Sequence, residues 1–161
     1  MLNDYHIQFL HHLVHHDVTF LIVRGQARWL INSVHRTRDL DIWVSIADKD
    51  KPSLERALIE WGREHLQHTN WNSPLPLRPM VQIAFPQFDG VWYMDRRGAL
   101  REIPTADMID VLTSLVGMDF EQCMERALSR DVEGVTVHAM CAADLYVAAE
   151  HRFKSEGRYC L

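Results

Sequence analysis

The chain has 161 residues, enough for one domain to bury a core without disulfides or a structural metal. Its 47% hydrophobic and 24% charged residues match an ordinary globular balance, which excludes a largely disordered chain. A formal net charge of -5 excludes a broad basic surface of the kind that drives non-specific nucleic-acid binding, though not a local basic patch.

The three cysteines, Cys123, Cys141 and Cys160, are odd in number and widely spaced. They read as reduced thiols, with neither a disulfide framework nor metal-ligand spacing. Met1 to Gln8 lacks the basic start and apolar run of a secretory signal, and apolar runs such as Val18 to Val23 are too short to cross a bilayer. The expectation is a cytoplasmic protein without a membrane partner.

Along the chain, Asp4 to His16 places Tyr5, Phe9, Leu10, Leu13 and Val14 at helical spacing, with histidines over much of the remaining surface. Val18 to Val23 reads as a buried strand ending at Arg24-Gly25, followed by a turn and a helix from about Gln26 to Val34. Arg38 to Ser45 resumes a strand. Leu40, Ile42 and Val44 lie on one face, and Asp39, Asp41 and Trp43 on the other.

Lys51 to His65, opened by Pro52 and Ser53, is helical with Leu54, Ala57, Leu58 and Trp61 on one stripe. Three prolines make Asn70 to Pro79 an irregular connection, and Met80 to Phe85 is a short strand. Val91 to Met94 and Ala99 to Ile103 form a hairpin whose turn contains Gly98. Met108 to Thr113 is a strand, Asp119 to Leu128 a helix, Val132 to Met140 a strand, and Asp144 to Ser155 the last helix, with Gly157 as its stop. No repeat or low-complexity segment interrupts this single unit, residues 1–161.

On a strand, Asp39 and Asp41 share a face, with backbones on the order of 7 Å apart. Two like charges so placed must be solvated, paired with arginine or neutralised by a cation. Arg36 and Arg38 are adjacent candidates for pairing. An isolated Asp-x-Asp is most simply a polar strand end. Here it follows a strand, a glycine turn and a short helix, a much rarer combination.

Those residues, Val23-Arg24-Gly25-Gln26-Ala27 and Arg36-Thr37-Arg38-Asp39-Leu40-Asp41-Ile42-Trp43-Val44, resemble the signature of the DNA polymerase beta-like nucleotidyltransferases. Most similar are the minimal bacterial members related to abortive-infection toxins. In those proteins the third carboxylate lies in a later strand of the form Ile-Asp-hydrophobic-Leu-Thr-Ser, and Ile109-Asp110-Val111-Leu112-Thr113-Ser114 fits it.

The resemblance implies an α/β (α+β) fold, a mixed β-sheet flanked by helices, here with an inserted β-hairpin. It implies catalytic and metal-binding roles for Asp39, Asp41 and Asp110, with Mg2+ or Mn2+ as the ion. Nucleotide contacts would fall to Arg24, Gly25, Gln26, Arg36 and Arg38. The activity implied is transfer of a nucleoside monophosphate from an NTP to a hydroxyl acceptor on RNA, protein or a small molecule, as in a toxin held by an antitoxin. The alternative is a catalytically degenerate module of the same shape that serves in binding, assembly or self-association.

Four departures mark this chain. Arg24 stands where the superfamily has its first turn glycine. The last helix reads Ala148-Ala149-Glu150 where relatives often carry a lysine, with Lys154 about a turn later. Only three residues follow Gly157-Arg158. The hairpin, carrying Trp92, Tyr93, Arg96, Arg97 and Arg101, interrupts the usual passage into the Ile-Asp strand.

Elsewhere, His11, His12, His15 and His16 make two i,i+4 pairs that could chelate zinc, nickel or copper, but no third ligand is visible nearby. A solvated or partner-facing helix surface is the expectation. His35 reads as a loop residue and the five tryptophans as core or cleft wall. No P-loop, nucleophile elbow or Cys/His dyad is present.

Overall fold

The computed structural model describes residues 2–33, 37–65, 80–83, 91–94, 97, 100–103 and 109–155. His35, Arg36, Trp71, Arg96, Gly98, Cys160, Gly157 and Arg158 lie outside the described residues, as do the side chains of Trp92, Tyr93, Arg101 and Lys154.

Helix α1 (Asp4–His15) starts where Asn3 accepts a hydrogen bond from the His6 backbone N–H at 2.9 Å, with Asp4 supplying the acid that a helix N-terminus favours. It buries Tyr5, Phe9, Leu10 and Leu13. Strand β1 (Phe20–Ile22) is followed by α2 (Arg24–Asn32), β2 (Leu40–Val44) and α3 (Lys51–His65). All five residues of β2 are buried, so its polar face is covered as fully as its apolar one. The loop into α3 is tied by Asp50, which accepts from Thr19 Oγ1 at 3.2 Å and from Ser45 Oγ at 2.5 Å.

Trp61 of α3 fills the space against α1. Its ring lies 4.9 Å from Phe9, edge-on, and 5.5 Å from Tyr5, whose hydroxyl accepts from the indole N–H. Contacts of this kind make the α1–α3 layer a continuous apolar block.

Strands β3 (Met80–Ile83), β6 (Ile109–Leu112), β7 (Leu128–Val132) and β8 (Val135–Ala139) complete a six-stranded mixed sheet in the order β3-β6-β2-β1-β8-β7. The β2–β6 and β1–β8 pairs are parallel and the other three antiparallel. Strands β4 (Val91–Met94) and β5 (Leu100–Ile103) form a separate antiparallel pair, the inserted hairpin. Helices α4 (Phe120–Glu125) and α5 (Ala142–Ser155) finish the chain's order. The result is the mixed sheet flanked by helices that the sequence implied.

The sequence reading errs around residue 128. It carries the helix from Asp119 to Leu128 and begins a strand at Val132, whereas α4 stops at Glu125 and Leu128–Val132 is a strand of its own. Glu133 and Gly134, at φ 49° and 89°, make the tight hairpin turn to β8. Positive φ at both central residues matches the twist of the flanking strands, and the glycine accepts it without cost. The last helix also begins two residues before Asp144, placing that acid in its first turn. No helix among the described residues is long and apolar enough to cross a membrane.

Candidate functional site

Strand β1 leads through Val23, whose backbone N–H donates to Asp41 O at 3.0 Å, into Arg24. Arg24 has φ 55°, the left-handed region that costs a side-chain-bearing residue roughly 1–2 kcal/mol. The sequence places the special turn residue at Gly25. The structure gives that conformation to Arg24 instead, and Gly25 sits in the first turn of α2. Its lack of a side chain serves close packing: a Cβ there would stand 2.7 Å from Thr37 Cγ2.

Thr37, held against Gly25, donates its hydroxyl to Asp39 Oδ1. Gln26 is fully buried and donates Nε2 to Thr37 O at 3.4 Å. The Gly25–Gln26 pair therefore shapes the approach to β2, which positions the acids.

Asp41 and Asp110 are register partners on the parallel strands β2 and β6. Alternation then points both side chains to one face, a strand spacing of about 4.8 Å apart at the backbone. Asp39 precedes β2 and is half-buried, as is Asp110. Asp41 is only 3% exposed. Trp43, next on its face, packs edge-on against Phe120 of α4, ring centres 5.2 Å apart.

Arg24 Nη1 donates to Asp41 Oδ1 at 2.6 Å. Burial nevertheless dominates and raises the Asp41 carboxyl from an ordinary 3.8 to about 6. The guanidinium opposes that rise, while the charges of Asp39 and Asp110 add to it. The arginine thus neutralises a crowded acidic centre incompletely.

These groups open on one cleft of about 870 Å3. Arg24, Gly25, Asp39, Asp41 and Asp110 line it together, joined by Arg28 of α2 and Arg152 of α5. Its other wall is apolar, formed by Leu112, Leu115, Val116, Met140, Leu145 and Ala148. Gln26 and Arg38 do not line it: Gln26 lies behind the wall and Arg38 is exposed. The sequence reading overlooked Arg28 and Arg152. Arg28 could have been found one helical turn after Arg24, but nothing local marks Arg152.

Three carboxylates supply the hard oxygen donors that magnesium or manganese prefers, so the residue types suit such an ion. Among the described residues, however, no three of His, Cys, Asp and Glu are arranged as a ready ligand group. The counter-charge at Asp41 is the guanidinium of Arg24.

The α1 histidines, expected on a solvated or partner-facing surface, are in part turned inward. His12 Nε2 lies 2.8 Å from Ala57 O and its ring is 5.2 Å from Trp61, while His16 pairs with Glu60 at 3.0 Å. Helix α3 offers those partners one turn apart, so His12 and His16 pack inward while His15 is exposed. Compared with known proteins, the chain matches no family model and no curated protein.

Proposed function

We propose that this protein transfers a nucleoside monophosphate from an NTP to a hydroxyl acceptor on RNA, protein or a small molecule. One observation carries the reading. Asp41 and Asp110 are brought into register on adjacent parallel strands and open, with Asp39, on an arginine-lined cleft.

In this reading Arg28 and Arg152 bind the phosphates, whose oxygens suit the guanidinium fork. The apolar wall at Leu115, Val116 and Leu145 takes the less polar part of the nucleotide and excludes water. Asp39, Asp41 and Asp110 would hold Mg2+ or Mn2+, which supplies charge stabilisation to the attacking and leaving oxygens. The acceptor hydroxyl oxygen bonds to the α-phosphorus, the bond from that phosphorus to pyrophosphate breaks, and pyrophosphate leaves with the electron pair. Asp110 takes the hydroxyl proton. An antitoxin partner would act by covering this cleft.

The second reading, a binding or assembly module without transfer, is favoured by the ion pair of Arg24 on Asp41. Calorimetry with each NTP and Mg2+, together with transfer of label from α-phosphate-labelled NTP, separates the two. Transfer that disappears in Asp110→Asn supports the enzyme. Nucleotide binding with no transfer of label supports a nucleotide-binding module, and the absence of any NTP binding removes the enzyme and leaves only assembly.

A further inference from the structure

Arg24 joins three observations that the transfer reading leaves unused. Its backbone adopts a left-handed conformation that glycine would adopt without strain. Its guanidinium sits on the most buried of the three acids. Yet the side chain is about a third exposed and borders the same cleft as Arg28 and Arg152.

A cation approaching Asp41 Oδ1 meets an oxygen already engaged at 2.6 Å by a positive group. The two cannot share that oxygen at contact distance without strong mutual repulsion. Phosphate oxygens entering the cleft offer the guanidinium a bidentate partner in place of its single contact with Asp41. A short rotation of this side chain, a third exposed, would then exchange one anion for the other.

We propose that Arg24 is a displaceable counter-ion: it occupies Asp41 until a polyphosphate draws it away, so that the carboxylates accept a divalent cation only together with nucleotide. The inference rests on the nucleotide-cleft reading and deepens it, making Arg24 the residue that couples the two ligands. Coupling of this kind is reciprocal, so the cation also tightens nucleotide binding.

The test is Mn2+ titration of the full chain followed by electron paramagnetic resonance, with and without a non-hydrolysable α,β-methylene NTP. In the native protein the analogue should tighten Mn2+ binding by roughly tenfold or more, as typical allosteric couplings do. Arg24→Gly relieves the backbone conformation and removes the charge, so without nucleotide it should bind Mn2+ roughly tenfold tighter than the native protein, with most of the coupling gone. The gain should vanish in the double variant Arg24→Gly/Asp41→Asn. Arg24→Gln, which retains the stem and lacks the charge, gives the same readout if the glycine loosens the turn.

Equal Mn2+ affinity in the native protein and in folded Arg24→Gly and Arg24→Gln overturns the proposal. Calorimetry with the NTP analogue on the same samples keeps the two readings apart. A gain in Mn2+ affinity with no NTP binding leaves Arg24 as the counter-ion and removes nucleotide as what displaces it. NTP binding with unchanged Mn2+ affinity retains the cleft and removes the role of Arg24.

Discussion

Among the described residues, two buried aspartates face arginines, Asp41 beside Arg24 and Asp144 beside Arg126. Asp144 receives two parallel hydrogen bonds, from Arg126 Nε at 3.1 Å and Nη2 at 2.9 Å, and a third from Cys141 Sγ at 3.4 Å. It also lies in the first turn of α5, where the helix dipole favours a negative charge. Asp41 has one arginine nitrogen and two carboxylates for neighbours. The same pair of residue types therefore closes one corner of the fold and leaves the other charged and expectant. Incomplete satisfaction, more than burial, marks the site.

The largest contrast is expected in activity. Under the proposed transfer reaction, Asp41→Asn and Asp110→Asn should each reduce transfer roughly a thousandfold, the equivalent of several kcal/mol of transition-state stabilisation. Asp144→Asn, corrected for its folded fraction, should leave transfer within about twofold, because its pair is structural. Labelled-NTP assays on the three variants measure this, and comparable losses in all three would erase the distinction.

Stability should then differ in its pH dependence. A carboxyl raised from 3.8 to about 6 binds its proton more tightly in the folded state, so its contribution is full below pH ~4 and is lost as pH rises to ~6. The most that Asp41 can remove over that interval is about 3 kcal/mol. Urea unfolding at pH 4.5 and 7 in the absence of divalent ions should show this fall. Asp41→Asn should lack it and be the more stable protein at pH 7 by about 1 kcal/mol, a trade of stability for function.

Gly25→Ala sharpens the local half of the comparison. The added Cβ meets Thr37, which cannot retreat without moving Asp39, and overpacking of this kind costs about 1–3 kcal/mol. Denaturant midpoints read the loss, and no change would mean that the segment around Thr37 adapts freely. Last, Asp144→Asn should lower stability by about 1–2 kcal/mol, the charge-assisted hydrogen bonds being discounted for the exposure of Arg126. A stabilising Asp144→Asn would make the two pairs alike after all.

Much of this arrangement was legible in the sequence because it is written in short-range pattern. Helical spacing in Asp4 to His16 and in Lys51 to His65 located α1 and α3, and the alternating run from Arg38 to Ser45 located β2 to within two residues. What escaped depended on conformations with little local signature. Leu128 to Val132 follows a short helix without a strong break, so the Glu133-Gly134 turn was the available clue to β7. At the site, Asp39, Asp41 and Asp110 could be named from their motifs, but their convergence required the β2–β6 register. The packing duty of Gly25 depends on Thr37, which no spacing rule connects to it, and the left-handed backbone at Arg24 has no signature in residue type. The histidine face of α1 was misjudged for a similar reason: its partners, Ala57, Glu60 and Trp61, belong to α3.

The register of Asp41 with Asp110 also bears on how the protein assembles. Strand β1, helix α2 and strand β2 are consecutive, so the contact of Arg24 with Asp41 closes only a short loop and can form early. Asp110 arrives through a parallel pairing with a strand far along the chain, which carries a larger closure entropy. A chain still emerging from the ribosome can therefore hold Asp41 already masked by its arginine while the third acid is not yet in place, so the acidic centre is complete only once the sheet is.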